Sequence, residues 1–266
     1  QYNKLNKYIY NLSFYNFITL ICSMNLIIDV GNSFVKLAVF KNNKIKYKNV
    51  VELNLILEEV KAIVKKHVTI KKAIISSVGR LKDSDVIEIK SLFDLLILDS
   101  KTKLPFKNLY KTPKTLGVDR LALTCAAVRQ FPDCNVVIID AGTCITYDFI
   151  NSNNEYLGGA ISPGLNMRYK SLNNLTANLP LLEANVPNSL IGNSTNASIH
   201  SGVVHGVLKE IDGVIDAYKQ NYSDLTVILT GGDCNFLSKQ LKSSIFATSN
   251  FLLEGLNFIL QYNSNE

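Results

Sequence analysis

The chain has no tryptophan, six prolines and three histidines among its 266 residues, and each shortage narrows what it can be. So few prolines and no low-complexity block leave no flexible linker between separate modules. Its five cysteines, at 22, 125, 134, 144 and 234, make no C-x-x-C pair and no disulfide-like spacing. Several lie in apolar runs, as buried reduced thiols do, and a cytoplasmic location is expected. His200 and His205 stand five apart, off the i, i+4 spacing that sets two imidazoles on one helical face, so metal ligation through His or Cys is not expected. Also lacking are a G-x-G-x-x-G turn between strand and helix and a Walker loop, which argues against two common nucleotide-binding folds.

Charge and hydropathy exclude more. The formal net charge is +6, but the lysines are scattered, as in Lys65-Lys66 and Lys71-Lys72, without an Arg-rich helix or an aromatic stripe. A solvated surface, or a mildly basic site for an anionic substrate, fits better than nucleic acid, and no nucleic-acid partner is expected. Residues 8–23 are apolar and aromatic, yet Asn11 and Asn16 interrupt them, no A-x-A-like cleavage site follows, and the run is short for a membrane span. No membrane association is expected. Met24 abuts the first core strand directly, so residues 1–23 read as an extension outside the functional protein.

What is present is a repeated phrase. Residues 25–40 read NLIIDVGNSFVKLAVF and residues 136–150 read VVIIDAGTCITYDFI. Each is an apolar run, then Asp-small-Gly, then a small polar residue, then a second run with alternating apolar positions. Asp29 aligns with Asp140, Gly31 with Gly142 and Asn32 with Thr143. This is the pattern of a buried strand, a turn and a hairpin partner. One Asp-X-Gly could simply close a hairpin. Two copies with matched flanks point to paired turns whose N–H groups face phosphates and whose Asp holds a divalent cation or its water. Facing each other, they would make a nucleotide cleft.

With 47% hydrophobic and 19% charged residues the chain is globular, and long enough for one large or two small domains. After the first hairpin, a strand is expected near 45–51, a helix over 55–66, a strand at 73–78, a helix at 84–92 and a strand at 94–98. The second half repeats this outline, with strands near 136–141, 144–150 and 155–161 and helices near 165–175 and 197–219. A strand at 225–230 and helices near 234–241 and 251–262 close the chain. A duplicated βββαβαβ series implies two α/β domains, read as 24–115 and 116–266, with the boundary in the Pro- and Lys-rich stretch 101–114 or the helix after it.

The motifs D-V-G-N-S-x-x-K at 29–36, Y-x-x-P…L-G-V-D-R at 110–120, D-A-G-T at 140–143, G-G-A-I-S-P-G at 158–164 and T-G-G-D at 230–233 occur in order. Together they resemble the type III pantothenate kinases of the acetate/sugar kinase–actin superfamily, over residues 24 to about 260. The resemblance implies duplicated actin-like (ribonuclease H-like) domains with mixed five-stranded sheets. It also implies transfer of a phosphoryl group from ATP to pantothenate, the first step toward coenzyme A, with Mg²⁺ and a monovalent cation, K⁺ or NH₄⁺. Within it, Asp29, Val30, Gly31, Asn32, Ser33, Phe34, Val35 and Lys36 form the first phosphate loop, with Asp29 on Mg²⁺. Gly31, Asn32 and Ser33 would present donors to the phosphates, and Thr143 adds a phosphate contact. Lys36 could instead only snorkel out of its strand. Asp119 is the implied general base, and Tyr110, Gly117, Val118 and Arg120 line the acceptor. Asp140 takes the monovalent cation; the residues alone would suit a second Mg²⁺ ligand equally. Thr195 would reach pantothenate across a homodimer interface.

The glycines at 158–159, 164 and 231–232 read as tight backbone geometry, the last pair leaving room for an adenine. Asp148, Asp212 and Asp233 carry no assigned role. Two other readings stand beside the kinase: a nucleotide-binding regulator of the same fold without catalysis, and a phosphotransferase for another small acceptor. The segment Tyr110–Arg120 discriminates, since acceptor contacts rather than phosphate loops set the substrate.

Overall fold

The computed structural model describes residues 24–31, 34–77 and 81–264, so the expectations for residues 1–23, Asn32 and Ser33 lie outside the described residues. The chain forms two compact units. The first comprises the described residues through Leu104 with Leu116–Ala122 and the chain from Leu253 onward; the second comprises Pro105–Thr115 and Leu123–Leu252. The path between them is thus not a single crossing at residues 115–116, because Leu116–Ala122 and the chain from Leu253 onward group with the first sheet.

In the first unit, β1 (Met24–Val30), β2 (Phe34–Lys41), β3 (Lys44–Glu52), β4 (Ile70–Ser77) and β5 (Asp94–Ile97) form a mixed sheet in the order β3-β2-β1-β4-β5. The β2–β3 turn is the dipeptide Asn42-Asn43, with φ of 49° and 61°, as a two-residue hairpin with the native strand twist requires. Helices α1 (Ile56–Lys66) and α2 (Asp83–Leu92) follow β3 and β4 and make the parallel β1–β4 and β4–β5 connections possible. One sheet face buries Leu26, Ile28 and Val30 with Val35, Leu37, Val60 and Ile89. Period-2 alternation sends Asn25, Ile27 and Asp29 to the other face.

The C-terminal helix belongs there by polar as well as apolar contact. Asn25 Nδ2 donates to Asn257 Oδ1 at 2.9 Å, and Asn257 Nδ2 donates to Asn43 Oδ1 at 3.2 Å. Asn257 is 3% exposed, so these bonds replace water that its amide has lost.

In the second unit the sheet order is β11-β10-β7-β8-β9-β6. Its strands are β6 (Lys107–Asn108), β7 (Val136–Ala141), β8 (Cys144–Ile150), β9 (Glu155–Pro163), β10 (Thr226–Thr230) and β11 (Phe246–Ala247). Reading β9-β8-β7-β10-β11 against β3-β2-β1-β4-β5 gives the same order twice, the duplication expected from the paired motifs. The second sheet departs from the five strands expected because β6 adds a sixth at its edge; at two residues, neither it nor β11 is long enough to show an alternation. Val137, Ile139, Ala141, Tyr147 and Phe149 pack toward Leu165, Val204, Val207 and Ile211, while Val136, Ile138, Ile150 and Ile228 pack toward Leu123, Ala126 and Ala127. Both faces are therefore covered by helices: α3 (Val118–Gln130), whose residues from Leu123 belong to this unit, on one and α4 (Leu165–Asn174) with the helix Gly206–Asn221 on the other.

The long helix expected at 197–219 is interrupted. It begins as α5 (Thr195–His200), N-capped by Ser194, whose hydroxyl accepts from Ala197 N–H at 3.2 Å, widens into a π-turn over Ser201–His205, and continues as α6 (Gly206–Asn221). The helix expected at 234–241 shortens to α7 (Cys234–Leu237), and α8 (Phe251–Tyr262) ends the chain.

Replacing Asn257 by Ala removes both amide contacts and leaves the Asn25 amide without its acceptor. A loss of about 2 kcal/mol is expected, in the range for stranding a buried polar group. Urea unfolding would measure it, and an unchanged midpoint would contradict this account of how the last helix is held.

Candidate functional site

Asp29 sits near the C-terminal end of β1, where open α/β sheets place ligands. Its antiparallel partner on β2 is Lys36 and its parallel partner on β4 is Ser76, so the three side chains share one sheet face. Lys36 Nζ lies 3.6 Å from the Asp29 carboxylate, and Asp29 is 5% exposed. Burial pushes the Asp29 carboxyl up to about 6, against the pull of Lys36 and with added repulsion from Asp119. A buried acid with one countercharge and a second acid nearby suits a cation, which would supply the missing positive charge. Among the described residues no cluster of three or more His, Cys, Asp or Glu could hold a metal alone.

The turn after β1 differs in detail from the expectation. Gly31 N–H donates to Phe34 O at 3.0 Å, so it closes the hairpin instead of facing a phosphate. Val30 and Val35 are fully buried in the core beneath the turn. Phe34 is exposed.

In the same unit, α3 begins at Val118 and places Asp119 in its first turn, where the helix dipole favours a carboxylate. Asp119 Oδ1 accepts from the Arg120 N–H at 2.9 Å. A side chain at Gly117 would collide with that same oxygen, so Gly117 is what allows Asp119 its position. Arg120 is 5% exposed, deeper than a residue expected to offer its whole fork to a substrate.

In the second unit the turn chemistry repeats. Gly142 N–H donates to Cys144 O at 2.9 Å, matching the Gly31 closure. Thr143 is exposed at its tip and Asp140 partly buried at its base. Gly164 packs against the carbonyls of Gly142 and Thr143, and Gly231, at φ +96°, packs against Ala141 O and Asp140 Oδ1. No larger residue fits either place. Tyr110 packs over Gly158, and its N–H donates to Asn108 Oδ1 at 3.0 Å. Thr195, exposed at the start of α5, lines a cavity of about 660 Å³ with Arg168, Leu172, Ser198 and Ile199.

An acid at the end of β1, a matching acid at the end of β7, and Gly117-Val118-Asp119-Arg120 at a helix start make a kinase-like set, and comparison with known proteins fixes its kind. Residues 25–217 match the family model of the type III pantothenate kinases. The chain belongs to that family. Over 244 residues it is 53% identical to a type III pantothenate kinase of Christiangramia forsetii, covering 91% of this chain and 100% of that protein. It is 48% identical over 239 residues to that of Flavobacterium johnsoniae, covering 90% and 98%. Among solved structures, a glucokinase from an Antarctic psychrotroph superposes with a TM-score of 0.51 at 11% identity, covering 90% of this chain and 99% of that one. The last likeness carries the fold alone: duplicated actin-like domains.

For a type III pantothenate kinase, two features of this site are absent from the motif reading. Ser76 is fully buried beside Asp29; its signal was a polar residue ending an apolar strand that pairs with β1. Gly158 beneath Tyr110 was read only as turn geometry. Among the described residues, no helix is long and apolar enough to cross a membrane.

The raised value of Asp29 has a sign that can be measured. An acid whose folded-state value lies above its ordinary 3.8 binds its proton more tightly when folded. Its neutral form therefore stabilises the fold at low pH, and that stability is lost as pH rises through about 6. Asp29→Asn, without ligand, should be more stable than the parent at pH 8 by up to about 3 kcal/mol, with the gap closing below pH 4. Urea unfolding at the two pH values checks this; a less stable variant at pH 8 would contradict it.

Proposed function

We infer that this chain phosphorylates pantothenate to 4′-phosphopantothenate with ATP, the first step of coenzyme A biosynthesis. The observation that carries the reading is the juxtaposition, in one unit, of a buried strand-end acid, Asp29, with a second acid, Asp119, close enough to repel it. One acid serves the nucleotide side and the other the acceptor side.

In this reading the pantothenate hydroxyl oxygen attacks the γ-phosphorus, the bond to the β,γ-bridging oxygen breaks, and ADP leaves. Asp119 accepts the hydroxyl proton and aims the oxygen; in a loose transition state the aiming matters as much as the basicity. Lys36, paired with Asp29 yet 44% exposed at its side chain, offers positive charge to the phosphates. Mg²⁺, when bound at Asp29, neutralises phosphate charge. Asn32, Ser33 and Thr143 supply further phosphate donors. Tyr110, Gly117, Val118 and Arg120 line the acceptor. Asp140 holds a monovalent cation, K⁺ or NH₄⁺.

A homodimer completes the acceptor site through Thr195. Support for it lies in the apolar residues exposed on the segment leading to Thr195: Leu175, Leu181, Val186, Leu190 and Ile191, several more than 70% exposed. A second copy would cover apolar side chains left in water here while delivering Thr195. A cytoplasmic location belongs to this reading, on the cysteines that lie in apolar runs as reduced thiols do. A regulator without catalysis is disfavoured because it would not need Asp119 held by Gly117 at a helix start.

The test is ATP-dependent phosphorylation of pantothenate, followed by product mass, in K⁺ and in Na⁺. Turnover that requires K⁺ and falls at least 10²-fold in Asp119→Asn is expected, the scale of losing a positioned general base. Binding of ATP without any pantothenate turnover in the parent would favour the regulator or a kinase for another acceptor.

A further inference from the structure

Three residues outside the roles above converge on Tyr110. Asp148 is fully buried on β8, and its two carboxylate oxygens accept hydrogen bonds from Tyr156 OH at 2.6 Å and from Thr146 Oγ1 at 3.1 Å. Tyr156, also 0% exposed, is thereby fixed at its far end, and its ring lies 6.0 Å from that of Phe106 and 6.2 Å from that of Tyr110. Beside Tyr110 stands Gly158 at φ +108°, where an added Cβ would meet Tyr110 Cδ2 at 3.2 Å. The backbone is docked as well: β6 pairs with β9 through Asn108 and Tyr156, and Leu109 N–H donates to Tyr156 O at 3.0 Å. The two-residue edge strand thus brings Tyr110 onto a platform made by β9.

A buried carboxylate is a poor choice if packing alone is wanted, since an apolar group of equal volume is often as stable. What a short hydrogen bond to a fully buried carboxyl adds is fixed geometry. We propose that Asp148, Tyr156 and Gly158 are positioning residues that hold the Tyr110 ring against the acceptor and so set the affinity for pantothenate. The proposal rests on the reading of Tyr110 as a substrate contact.

The test is a four-member cycle: parent, Tyr156→Phe, Tyr110→Ala and the double variant, each measured for kcat and for KM toward pantothenate and ATP. Tyr156→Phe should raise the pantothenate KM about fivefold, the scale of one lost hydrogen bond, with the ATP KM unchanged. In the Tyr110→Ala background it should raise the pantothenate KM no further. An unchanged pantothenate KM in Tyr156→Phe, or the same fivefold rise in both backgrounds, would overturn the positioning role while leaving Tyr110 as a substrate contact. A Tyr110→Ala variant with the parent's pantothenate KM would remove the substrate role of Tyr110 and this proposal with it. Should Tyr156→Phe not fold, Gly158→Ala takes its place in the cycle, with the same expected and overturning results.

Discussion

A carboxylate held out of water at the end of β1 is the constraint around which the first unit is arranged. Apolar neighbours bury Asp29, one lysine on the next strand answers its charge, and Asp119 pushes against it. A fold that gained only stability from this position would replace the acid, because burial works against its charged form. The arrangement makes sense when a cation and phosphates share the field: the acid is then answered from a second side, and the lysine is freed in part to meet the phosphates. Family membership and the local chemistry point the same way from independent starting places.

Duplication supplies the second half of the device. The same strand order occurs in both sheets, and the same glycine N–H closes the turn after β1 and the turn after β7. Each repeat delivers an acid to a strand end, but the surroundings differ. Asp29 has Lys36 opposite it in register, whereas Asp140 has Thr146. The Thr146 hydroxyl itself donates to Asp148 at 3.1 Å. The two turns therefore differ in the residue across the hairpin.

Much of this was legible in the chain. Long apolar runs such as those of β1 and β7 declare themselves, and the repeated Asp-X-Gly between matched runs located both turns. Two-residue strands β6 and β11 carry no periodicity, so the sixth strand and the docking of Tyr110 could not be read. The π-turn at Ser201–His205 widens a helix without changing its apolar pattern. Gly31 looked like a phosphate donor because sequence cannot say which carbonyl its N–H meets. Sequence could not say how deep Arg120, expected to line the acceptor, would lie; it is 5% exposed. Ser76 became visible only when strand register set it beside Asp29, and Asp148 only when its carboxyl met the Tyr156 hydroxyl.

The division of labour between Asp29 and Asp119 is the claim on which the account turns, and Mg²⁺-dependent binding of a non-hydrolysable ATP analogue, measured by calorimetry, tests it most directly. The account predicts that Asp29→Asn loses most of the Mg²⁺-dependent affinity while Asp119→Asn binds the analogue as the parent does. Equal loss in both variants, or none in Asp29→Asn, would contradict it.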